Sequence, residues 1–146
     1  MVSLEGDEGQ GLVVAVFVLA IAAVSIVGLE AAQQRIFAAA RSQRAGEAAA
    51  EAALASVADA YVAYLSSLRA RAGASPRPSP DVVGLVADRK VVADATAAAE
   101  ALARANGGAR IGGLSLSCAG GRIEAWVTVD ERPHHAGFSA PECSRR

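Results

Sequence analysis

Apolar residues run without a charge from Leu12 to Leu29, LVVAVFVLAIAAVSIVGL, and only Ser25 and Gly28 in that run depart from frankly apolar types. The run just meets the minimum for a helix that spans a bilayer. A buried core helix is the alternative, but a domain this small has no second layer to hide such a segment on every side. Within the run Val14, Phe17, Ile21 and Val24 recur at three- and four-residue spacing, a stripe suited to packing against another membrane helix. The flank before it, MVSLEGDEGQG, holds Glu5, Asp7 and Glu8 and no basic residue. A secretory signal would begin with Lys or Arg, have a shorter apolar centre and end at a small-residue cleavage site. Residues 1–11 therefore read as a short polar leader and residues 12–29 as a retained anchor. Arg35, Arg41 and Arg44 lie beyond the anchor, and the positive-inside rule alone would put the C-terminal part in the cytoplasm.

From Glu30 to Ala72 the residues are strong helix formers, and Gly46 is the sole helix breaker, so the membrane helix is expected to continue. Its later part carries Leu54, Val57, Tyr61, Tyr64 or Leu65, and Leu68 at alternating spacing, a narrow seam for one packing partner. That partner is either the protein's own C-terminal part or another chain. Residues 73–81 form a linker whose prolines stop the helix, and Asp81 can cap the next one. Residues 82–107 predict a second helix with Leu85, Val92, Ala95, Ala99 and Leu102 on one face and Asn106-Gly107 as its stop.

Between residues 110 and 130 the period changes to two. Leu114, Leu116 and Cys118 alternate with serines, and after Gly120-Gly121 the residues Ile123, Ala125, Val127 and Val129 alternate with polar ones and Trp126. This predicts a two-stranded β-hairpin whose apolar face covers a helix. The tail from 131 to 146, with Pro133 and Pro141, has no period and reads as irregular. The fold class is thus α+β: a long N-terminal transmembrane helix and a small head of one helix and a hairpin.

With 15 acidic and 14 basic residues among 146, the net charge is -1, which gives no reason to expect nucleic acid. The composition is 53% hydrophobic but only 4% aromatic, and Ala-rich packing of that kind disfavours a roomy active site. No nucleophile, base and orienting group can be set together from spacing, and the glycine pairs lack a phosphate-loop pattern, so no enzyme activity, cofactor or small-molecule substrate is expected. Cys118 and Cys143 can staple the tail to the hairpin, which would imply an oxidising compartment; two separate buried thiols are the alternative. His134-His135 reads as surface loop and not as a metal site, because only Glu131, Glu142 and Cys143 lie near it in sequence. Trp126 falls on the hairpin face opposite Val127 and is a candidate partner anchor, unless the tail covers it.

The order of parts, with Gly9-Gln10 leading into the apolar helix and ARANGGARIGGLSLSC at 103–118, resembles the pilin-like TadE-like and TadG-like proteins of tight adherence (Tad) pilus systems in high-GC bacteria. The resemblance implies a minor pilin or accessory membrane-anchored subunit of a type IV-like pilus. It would be single-pass in the cytoplasmic membrane and held to other pilin-like subunits by its N-terminal helix. Its C-terminal part would lie outside the cytoplasm, as the cysteine pair also suggests. The best prepilin cleavage junction is Gly6-Asp7, but the basic flank is missing, and Gly11 stands where the resemblance would place an acidic fifth residue, so the leader is expected to stay. The rival readings are a membrane-tethered binding module that uses the head near Trp126, and a cytoplasm-facing adaptor.

Overall fold

The computed structural model describes residues 7–72, 79–108 and 110–144. Helix α1 is Asp7–Ala72, α2 is Val82–Ala87 and α3 is Arg89–Ala105; the strands are β1 Ile111–Ala119, β2 Arg122–Val129 and β3 Arg132–Ser139, and a 3-10 turn comes last at Pro141–Ser144. The chain divides within α1 into two compact units, one up to Ala39 and one from Ala40. Gly6 lies outside the described residues, as do residues 73–78 of the linker; Asp7 is the first residue of α1.

In the first unit every side chain from Gly11 to Ala39 is exposed, and the large apolar residues of the run each leave more than half of their surface open, Val24 as much as 73%. Such a surface is not stable in water and requires an apolar cover. Ser25 meets that condition without water, because its hydroxyl donates to the Ile21 carbonyl at 2.8 Å. This is one helix long and apolar enough to cross a membrane.

The second unit is a head in which helices cover one face of a three-stranded antiparallel sheet of order β1-β2-β3. β2 is central, and its inward residues Ile123, Ala125, Val127 and Val129 are each at most 1% exposed. Opposite them α1 contributes Ala45, Ala49, Ala50, Ala53 and Val57, and α3 contributes Ala95, Ala99 and Ala103 at four-residue spacing. Methyl side chains let the backbones approach closely: a Cβ on Gly108, just past α3, would stand 2.6 Å from the Ala45 Cβ. The seam from Leu54 to Tyr61 therefore receives the protein's own head, with Leu54 and Tyr61 packed against the core.

The hairpin of β1 and β2 has the expected register, with Ala119 opposite Arg122 and Leu114 opposite Val127. Gly120 and Gly121 take φ of 58° and 77°, the left-handed pair that a two-residue hairpin turn needs. The irregular tail, however, is corrected: residues 132–139 are a third strand paired to β2, with Val127 opposite His134. The turn into it is Asp130-Glu131, both at positive φ (50° and 63°) without a glycine or asparagine to announce it. Pro133 is tolerated because β3 is an edge strand.

The single second helix is also corrected. It is broken at Asp88, whose carboxylate accepts hydrogen bonds from the Lys90 and Val91 amides at 2.8 and 3.2 Å and so starts α3 afresh. Asp81 caps α2 as expected, accepting from Gly84 at 2.9 Å. Of the expected apolar face Ala95 and Ala99 are fully buried, but the rest is rotated: Ala103 is fully buried, whereas Leu102 is 40% exposed and Leu85 and Val92 are only half-buried.

Candidate functional site

Four places in the described residues hold residues singled out by sequence: the α1 stripe, the cysteine pair, Trp126 and the histidine pair. On α1, the stripe of Val14, Phe17, Ile21 and Val24 is open along its length, from 52% at Ile21 to 73% at Val24. Its chemistry is dispersion alone. It can pack against lipid or another apolar helix and can hold nothing polar.

At one end of the sheet Cys118 of β1 and Cys143 of the 3-10 turn form a disulfide, with Cα atoms 5.1 Å apart. The same end is tied twice more. Ala140 donates its amide to the Gly121 carbonyl at 2.8 Å, and the Tyr61 hydroxyl of α1 donates to the Glu142 carboxylate at 2.5 Å. The Tyr61 ring also lies 5.6 Å from that of Phe138. Burial, then the hydrogen bond and the negative charge of Glu142, push the Tyr61 pKa up to about 12. This clasp joins α1, the sheet and the chain's last described residues.

On the outer face of the sheet Trp126 is 42% exposed, so the third strand runs beside it and leaves it open. Its ring stacks on that of His135 at 4.6 Å and 19°, and its indole N–H points to Glu124 at 3.4 Å. Glu124 in turn faces Arg122 at 3.7 Å, and Arg122 donates to the Gly137 carbonyl at 3.1 Å. An indole with a fixed plane and one open side is suited to stacking, not to proton transfer.

The histidine pair also departs from its expected place. Strand alternation sends His135 outward and His134 inward, where it is 6% exposed and not in a surface loop. Its ring lies directly on the α1 backbone at Gly46: a Cβ there would stand 2.1 Å from Nε2. Nε2 of His134 and the hydroxyl of Ser42, one turn before Gly46, are the buried side-chain polar atoms without a partner among the described residues. The one sign of this seat along the chain is a glycine in the middle of a helix. Among the described residues no group of three or more His, Cys, Asp or Glu side chains is placed to hold a metal ion.

No family model, no curated protein and no solved structure matches this chain. The structure establishes a pilin-like layout: a long apolar N-terminal helix and a small disulfide-bonded α+β head.

Proposed function

We propose that this chain is a minor pilin or an accessory membrane-anchored subunit of a Tad or type IV-like pilus assembly, structural and without catalysis. The observation that supports this most is that one unbroken helix, α1, serves two purposes. Its early residues present an uncovered apolar surface, and its Ala45–Val57 face is part of the core of the head. A subunit of this kind is held by other apolar helices in the membrane, and its head is displayed by the same element. The disulfide suits an extracytoplasmic head.

The test is a photo-reactive residue placed at Phe17 or Val24 in cells. Adducts with other pilin-like subunits support the proposal, and adducts with lipid alone overturn it. Labelling of Cys118 and Cys143 by an impermeant thiol reagent, with and without a membrane-impermeant reductant in intact cells, tests the orientation. Labelling that appears only after reduction supports an external head, and none in either condition overturns it. The open Trp126 face favours a second reading, a tethered binding module outside any filament. That reading expects one soluble partner captured through the head and no adducts between membrane helices.

A further inference from the structure

Beside Trp126 the outer face of the sheet forms a cleft that an assembly role does not use. It is shallow and open to solvent, with a volume of about 390 Å³, so a ligand would lie on it with one side in water. β1 supplies Gly113 and Ser115, β2 supplies Trp126 and Thr128, and β3 supplies Pro133. Nothing lies within 4 Å of where a Gly113 Cβ would stand, so the floor beside the indole is bare. The indole does not swing freely, because His135 stacks on it and Glu124 engages its N–H. What it offers the cleft is therefore π surface.

Ser115 and Thr128 bring hydroxyls to the lining, and no charged side chain is part of it. This chemistry discriminates among ligands. A phosphate or carboxylate would find no cation in the lining, and an acyl chain would strip water from two hydroxyls and give nothing back. A ring with an apolar C–H face and a hydroxyl-bearing edge satisfies both sets of groups. We propose that this cleft binds a neutral hexopyranose ring of an oligosaccharide, stacked on Trp126 and hydrogen-bonded by Ser115 and Thr128. The proposal requires only that the head meet glycans, so it goes beyond the pilus reading and does not depend on it.

Trp126 is the single tryptophan, so its emission reports on the cleft directly. The full chain, with its disulfide intact, is held in a sugar-free detergent such as lauryldimethylamine oxide and titrated with chitotetraose and with maltotetraose. A saturable shift in emission with either sugar is expected. Gly113→Val fills the bare floor, where an added Cβ meets nothing within 4 Å, and should weaken that binding at least tenfold while leaving the thermal midpoint in place. No saturable shift with either sugar up to about 20 mM, a concentration that exposes even weak sites, would overturn the proposal. So would a shift that Gly113→Val leaves unchanged. Neither result bears on the adducts at Phe17 and Val24.

Discussion

Gly46→Ala sets two effects of opposite sign against each other. In an open helix the change stabilises by about 1 kcal/mol, because alanine loses less backbone entropy on folding. Here the added Cβ would stand 2.1, 2.2 and 2.4 Å from three atoms of the His134 ring. The ring would have to withdraw by more than an ångström to reach an ordinary contact near 3.5 Å. It has little room, being 6% exposed and paired across the ladder with Val127, itself 1% exposed. Overpacking of this kind costs about 1–3 kcal/mol in a closed core and more where nothing can shift. A clash with three ring atoms puts the cost in the upper part of that range, about 2–3 kcal/mol, so the steric effect should win and leave a net loss of about 1–2 kcal/mol after the helix gain. For a domain near 100 residues that lowers the thermal midpoint by roughly 5–15 °C. The assay is thermal unfolding of the full chain in micelles, disulfide intact, read by Trp126 emission. A midpoint that is unchanged or raised would refute the close seat of His134 on α1. In a His134→Ala background the ring is gone, so Gly46→Ala should there be neutral or stabilising, and the cycle isolates the coupling.

Val127→Asp should bury a charge without a partner and cost more than about 4 kcal/mol, whereas Trp126→Ala, on the open face, should cost about 1 kcal/mol. Urea midpoints that reverse this order would overturn the strand register. Asp130→Asn with Glu131→Gly gives the second turn residues that accept positive φ, and should stabilise the head by about 1 kcal/mol; an unchanged urea midpoint would remove the argument from turn strain. Because the Tyr61 pKa in the fold is raised to about 12 from the ordinary 10, its stabilising interaction is complete below pH 10 and is lost as pH rises toward 12. Thermal midpoints should fall across that window, and less so in Tyr61→Phe; equal falls in both proteins would place the titrating group elsewhere.

The apolar run, the first hairpin with its register, the Asp81 cap and the cysteine pairing could be read in the sequence because each rests on a local signal: length, alternation, a capping side chain, a pair of thiols. β3 could not, since RPHHAGFS has weak alternation and its turn is Asp130-Glu131, where a chain reader looks for asparagine and glycine. The break at Asp88 was hidden for a similar reason: no glycine or proline marks it, and a single carboxylate capping two amides makes the new start. The core faces of α1 and α3 were legible only in part: Val57, Ala95 and Ala99 lie where the spacing put them, whereas Ala45, Ala49 and Ala103, equally buried at 0% exposure, are small residues that an apolar stripe of leucines and valines does not single out. At the outer face, Trp126 was legible from alternation alone. The cleft beside it depends on Gly113 of β1 and Pro133 of β3, strands that only pairing brings together.

The scarcity of bulk in that core sets how the head responds to temperature. Among the described residues its largest fully buried side chains are Ile123, Val57, Val82, Val127 and Val129, and most other fully buried positions are alanines. A methyl group exposes little new apolar area on unfolding, and it is apolar exposure that raises the heat capacity of the unfolded chain. The head should therefore unfold with a heat-capacity increment below the roughly 12–15 cal/mol/K per residue of ordinary domains. Its stability curve is then broad and shallow. Cooling costs such a head little, because the hydrophobic term that fades in the cold is a small part of its stability, and the disulfide, acting on the entropy of the unfolded chain, keeps its effect at any temperature.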